Sequence, residues 1–95
     1  MKPLKVFGAH IPIKLRKDLM ESEGALGIFD RVECRIEVDA RLKGDALKQT
    51  LVHELVHAIF ARAGLAQTDI SSDVEEIICE QVAIVINENF RLTQK

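Results

Sequence analysis

Five consecutive residues, His53-Glu54-Leu55-Val56-His57, form an HExxH pattern. On a helix, side chains four positions apart lie one above the other, so both imidazoles can present a ring nitrogen to one Zn²⁺ while Glu54 stands beside them. Zinc lowers the pKa of a bound water toward neutrality. A carboxylate in that place then takes the proton as hydroxide attacks a polarised carbonyl. The pattern assigns His53 and His57 as metal ligands and Glu54 as general base. Two of the three histidines in the chain fall within it, which argues against chance.

A catalytic zinc takes a third protein ligand. An extension of the motif to Gly and His at positions 60 and 63 would supply one, but Phe60 and Ala63 stand there. The following segment offers Glu75, Glu76 and Glu80 instead. Ser72 and Glu75 fit a capping box, which gives Glu75 a structural task. Glu76 and Glu80 are four apart and share a helix face. With Glu76 on the metal, Glu80 sits one turn further on, placed to accept the second ring N–H of a ligand histidine and hold its tautomer. The spacing favours His53, His57 and Glu76 as ligands with Glu80 behind them, and leaves Glu75 and Glu80 as the alternatives.

Two helices must carry these residues. Gly44-Asp45 provides an N-cap, Leu47, Leu51, Leu55 and Ile59 with Val52, Val56 and Phe60 make a broad apolar face, and Gly64 ends the run. A second helix runs from Ser72 to about Phe90, with Val74, Ile77, Ile78, Val82, Val85 and Ile86 in helical register. Ahead of them the chain reads as extended. Residues 2–16 suggest two short strands with Pro3 and Pro12 at strand ends or a sheet edge. Residues 17–27 suggest a surface loop with one helical turn at Asp18 to Ser22. Ile28 to Asp30 is extended, and Cys34, Ile36 and Val38 alternate with Arg35, Glu37 and Asp39 as a strand with one solvated face. The expected fold is α+β: one domain over residues 1–95, a small antiparallel or mixed sheet of three to four strands, then the HExxH helix and a C-terminal ligand helix.

Composition narrows the function classes. A chain that is 47% hydrophobic and 29% charged folds rather than staying disordered. A net charge of −2 without a Lys/Arg cluster disfavours direct nucleic-acid binding. No apolar run approaches the roughly 18 residues of a membrane span, and no signal segment opens the chain, so a cytoplasmic protein is expected. Cys34 and Cys79 form no CxxC pair and read as apolar packing. The chain has no Tyr. A phenol cannot therefore steady a reaction intermediate, and His10, Arg35 and Arg62 are what remains for that task.

HELVH followed, after eighteen residues, by Glu76 in VEEIICEQVA resembles the gluzincins, the thermolysin-like zinc peptidases. Against that family's Asn-Glu-x-x-Ser-Asp segment, Glu76 matches the ligand, Glu80 stands for the aspartate, Cys79 for the serine and Glu75 for the asparagine. GALGIFD, CRIEVD and LKQTLVHELVHAIF look most like the short ImmA/IrrE-type proteins of phages and prophages. The resemblance implies a minimal gluzincin fold and zinc-dependent cleavage of a protein or peptide substrate, a transcriptional repressor in the better-known relatives. It also implies that an extended peptide adds to a sheet edge, for which Cys34 to Val38 or Ile11 to Leu15 are candidates. The competing reading is a zinc-binding phage interaction module without turnover, or one latent until a partner completes its cleft.

Overall fold

The computed structural model describes residues 1–90. The first two strands, β1 (Leu4–Val6) and β2 (Ala9–Ile11), form an antiparallel hairpin with Leu4 opposite Ile11. Phe7 and Gly8 make its two-residue turn, both left-handed at φ 49° and 84°. A hairpin turn with two positive φ values matches the right-handed twist of its strands, and Gly8 adopts one without steric cost. Pro12 then stops the ladder because it has no N–H, while its carbonyl accepts from Ile36 N at 2.9 Å. The chain re-enters extended structure as β3 (Ile13–Arg16). Residues 2–16 thus hold three strands where the sequence pattern suggests two, since a turn and a proline each cut the run.

β4 (Gly27–Asp30) and β5 (Arg35–Asp39) complete a separate sheet in the order β3-β5-β4. β3 runs parallel to β5, with Ile13 opposite Ile36, and β4 runs antiparallel to it, with Gly27 opposite Val38. The architecture is α+β with small mixed sheets, and its five strands fall into two sheets rather than one of three or four.

Strand β5 lies at the centre and is buried on both faces, not half-solvated as its alternation suggests. Ile36 and Val38 pack with Leu51 and Ala58 of helix α2 (Gly44–Arg62). On the opposite face Glu37 and Asp39 are only 3% and 1% exposed. Arg16 and Arg35 reach Glu37 at 2.9 and 2.8 Å, and Arg41 reaches Asp39 at 2.8 Å. The short helix α1 (Leu19–Glu23) covers the same end, with Leu19 fully buried and Met20 N 3.4 Å from Asp39. Burial works to raise the Glu37 carboxyl, but hydrogen bonds from Arg16 and Arg35 outweigh it and hold the group low. Hydrogen bonds from the Arg41 side chain and backbone hold Asp39 far below the usual carboxylate range. Period-two alternation marks which side chains share a face; it does not show that arginines will close over the polar one.

Helix α2 lies between the sheet and helix α3 (Ser72–Asn89), connected to it by the turn Leu65–Gln67. Its Leu51 and Ala58 join the sheet core, whereas Val52, Val56 and Phe60 pack with Cys79 and Ala83 of α3. Cys79 is fully buried, and that burial pushes its thiol up to about 12. It packs as an apolar side chain does. Gly64, at φ 77°, turns the chain out of α2. At the other end no side chain caps α2, and Asp45 instead lies 3.6 Å from Lys48 Nζ.

The cap of α3 also differs from the sequence expectation. Ser71, not Ser72, is the N-cap, and its Oγ accepts from Val74 N at 3.1 Å. A shift of one residue puts Val74 where a capping box needs Glu or Gln. Glu75 is thereby free to turn inward. Among the described residues no helix is long and apolar enough to cross a membrane.

Candidate metal centre

His53, Glu54 and His57 lie on α2 beside α3, which supplies Glu75, Glu76 and Glu80. The imidazole centroids of His53 and His57 are 5.0 Å apart, as one helical turn requires. Glu76 bridges them: its Oε1 is 2.6 Å from His53 Nε2 and its Oε2 is 3.0 Å from His57 Nε2. Two nitrogens and a carboxylate oxygen from these residues lie within 4.8 Å of one another, a group able to hold a metal ion.

Each histidine has a second carboxylate on its far nitrogen. His53 Nδ1 lies 3.0 Å from Glu80 Oε2, and His57 Nδ1 lies 2.6 Å from Glu75 Oε2. A carboxylate only accepts, so Glu80 and Glu75 can each take a ring Nδ1–H, and a metal ion would replace the proton that the Nε2–Glu76 contacts otherwise share. Glu80 is steadied in turn by Gln49 Nε2 at 3.3 Å, and Glu75 by Arg31 Nη2 at 2.8 Å. The pairing of Glu75 with His57 corrects the capping role expected for it. The three glutamates thus divide the work: Glu76 faces both Nε2 atoms, while Glu75 and Glu80 each hold one ring from behind.

Glu54 is 6% exposed and points toward β4. Burial raises its carboxyl above the ordinary value, against the pull of His53 and His57. Gly27 is what lets the strand pass so close. A Cβ there would come within 2.6 Å of Thr50 Cγ2 and 3.2 Å of Glu54 Cγ and Oε2. Thr50 is β-branched on a helix and gives little. Gly27→Ala is therefore expected to destabilise the fold by about 1–3 kcal/mol through overpacking. Urea unfolding measures this, and an unchanged midpoint would mean that β4 does not sit against Thr50.

Two cavities flank Glu54. One, of about 320 Å³, runs past Leu26, Gln49, Thr50 and Glu80; the other, of about 410 Å³, runs past Phe29, Arg31, His57 and Glu76. Both are bordered by Ala25, Gly27, His53 and Glu54, so a cleft passes along β4 with Glu54 near its middle.

The strand beside this cleft is neither of those suggested by the sequence. β5 has both edges paired, and β3 lies at the opposite side of its sheet from β4. Arg35 is occupied with Glu37, and exposed His10 pairs across the hairpin with Lys5; these two and Arg62 line neither cavity. Arg31 is the one Lys or Arg among the described residues that lines either. Sequence reasoning passed over both Arg31 and Gly27. Gly27 read as the end of a loop, and only its place as the first residue of β4 shows that it is a close backbone approach; Arg31, just past a short extended run, carried no mark of its own.

No family model matches this chain, and comparison with curated proteins and with solved structures gives no match either.

Proposed function

We propose that this chain is a zinc peptidase of minimal gluzincin type, cleaving an extended segment of a protein substrate. The observation that carries the reading is the convergence of His53, His57 and Glu76 beside the buried Glu54, with each imidazole held from behind by its own carboxylate. The donor set suits zinc. Tetrahedral bonds of about 2.0–2.2 Å place ligand atoms roughly 3.3 Å apart. The Glu76 contacts of 2.6 and 3.0 Å need to open by about 0.7 and 0.3 Å, which a side chain 59% exposed can do.

Zinc, when bound, supplies a Lewis acid that polarises the scissile carbonyl and acidifies water. Glu54 takes the proton of the attacking water and passes it to the departing amide nitrogen, a task suited to a carboxyl raised by burial. Among the described residues β4 is an edge strand with no partner on its outer side, and that edge offers backbone groups to an extended peptide lying across the cleft. Cavities on both sides of Glu54 leave room for chain before and after the cleaved bond, the arrangement an endopeptidase needs. Arg31, which lines the cavity beside His57 and Glu76 and is oriented by Glu75 at 2.8 Å, is the cation available to negative charge developing on a substrate.

The test is zinc content together with turnover. Purified protein should hold about one zinc per chain and cleave an unfolded protein, such as a denatured repressor, with activity lost to a chelator and restored by zinc. Stoichiometric zinc without cleavage of any denatured protein or peptide library would make it an interaction module. Absence of zinc binding would overturn the reading altogether.

A further inference from the structure

The two cavities beside Glu54 differ in the charge they offer. The larger, of about 410 Å³, includes Arg31. The smaller, of about 320 Å³, is bordered by no Lys or Arg, and its acidic residues are Glu54 and Glu80. Of the three residues placed to hold a metal, only His53 borders it. Helix α3 deepens the negative field on this side, since Asp73, Glu75, Glu76, Glu80 and Glu88 lie between Ser72 and Asn89 without a Lys or Arg among them.

The walls of the smaller cavity are of two kinds. Met20 of α1 and Leu26 ahead of β4 make an apolar side, and they stay 39% and 43% exposed. Gln49 of α2 and Glu80 of α3 make a polar side. Glu80 Oε2 faces His53 Nδ1, and its Oε1 accepts from Gln49 Nε2. A carboxylate has about four lone-pair sites, so each oxygen keeps one for a further donor. Glu54 gives a second, independent sign of an absent guest. It is only 6% exposed, borders this space and has no hydrogen-bond partner among the described residues. Buried polar groups are satisfied as a rule, and a bound donor would satisfy this one.

One kind of side chain matches both walls. Lys and Arg lay a hydrocarbon stem along apolar surface and carry their charge at the tip. Here the stem meets Met20 and Leu26 while the tip donates to Glu80 and the Gln49 carbonyl. An aliphatic side chain would cover the same apolar wall but take water from Glu80 without replacing its hydrogen bonds. An acidic side chain would meet two carboxylates. A volume of about 320 Å³ lies at the low end for a ligand site and suits one long side chain.

We propose that the cavity between Met20, Leu26, Gln49 and Glu80 is a subsite for a Lys or Arg side chain of an extended peptide, so that cleavage falls next to a basic residue. The second half of this statement rests on the peptidase reading; the first does not. The basic residue adjoins the cleaved bond because Glu54 borders both this subsite and the cavity that contains His57 and Glu76. It lies always on the same side of that bond, because the cavity on the other side presents Arg31 and repels a second cation.

Binding and cleavage test the two halves separately. N-acetyl-lysine methylamide and its norleucine and glutamate counterparts are titrated into the full chain, with and without added zinc, and followed by the methyl NMR signals of Met20, Leu26 and Thr50. The lysine probe should shift these signals and bind about five- to tenfold more tightly than the norleucine probe, as expected for hydrogen bonds to a partly exposed charged group. The glutamate probe should bind weakest. Met20→Lys sets an ammonium on the apolar wall and should put glutamate ahead of lysine. Glu80→Gln keeps the side-chain shape without the charge and should level lysine with norleucine. In a digest of denatured proteins by the zinc-loaded chain, Lys or Arg should stand at one constant position beside the cleaved bond. Lysine-selective binding without any cleavage would keep the subsite and remove the peptidase reading. Equal affinity for the three probes, tighter binding of norleucine, an unchanged order in both variants, or cleavage with no basic residue beside the bond would overturn the proposal while leaving zinc-dependent turnover intact.

Discussion

Glu54→Gln is expected to retain zinc and to lower peptide cleavage by about 10²–10⁴-fold, the contribution of a general base. Glutamine preserves the shape of the side chain, which matters where Gly27 and Thr50 leave so little room around Glu54. It removes the ability to accept a proton while leaving His53, His57 and Glu76 untouched. The fold should tolerate the change. Burial already disfavours the charged form of Glu54, so a neutral amide removes a cost that the carboxylate carries. Metal analysis, unfolding midpoints and turnover on one preparation separate the possibilities. Cleavage at the wild-type rate by the zinc-loaded variant would remove Glu54 from the chemistry.

The parts of the fold legible in the sequence are those encoded locally. The apolar period of α2, the left-handed glycine after it and the i, i+4 spacing of His53 and His57 each depend on neighbours within a turn or two. The same holds for the pairing of Glu76 and Glu80 on one face. What escaped depends on contacts between distant segments. β5 is central because β3, more than twenty positions earlier, pairs on its one side and β4 on the other. Glu37 is buried because Arg16 crosses from β3 to meet it. Glu75 holds His57 because the cap falls on Ser71, and adjacent serines left that choice to the packing of α3 on α2. Arg31 reaches the site only because β4 is the edge strand beside α2. None of these has a periodicity to reveal it.

The three glutamates should separate under alanine substitution by the atoms they face. Glu76→Ala removes the carboxylate that both Nε2 atoms share and should abolish stoichiometric zinc at micromolar metal. Glu75→Ala and Glu80→Ala remove only the acceptor behind each ring, and each should weaken zinc binding by about 10–100-fold without eliminating it. Stability should split that pair. Glu75 is buried and accepts from both His57 and Arg31, so its loss leaves an inward-facing ring N–H unpaired at a cost of about 1–3 kcal/mol. Glu80 is 47% exposed, and water can replace it at His53 with little effect on unfolding. A different order would relocate the ion. His57, Glu75 and Cys79 also lie close enough together to hold a metal, on the far side of the imidazole. Zinc there would be lost with Glu75→Ala and kept with Glu76→Ala. The buried Cys79 thiol, pushed up to about 12, would have to give up its proton at a large cost, a cost that the His53, His57, Glu76 set, which has no thiol, does not carry. Competitive titration of the three variants against a zinc chelator decides between the two positions, and the proton cost of Cys79 is the physical reason to expect the His53, His57, Glu76 set.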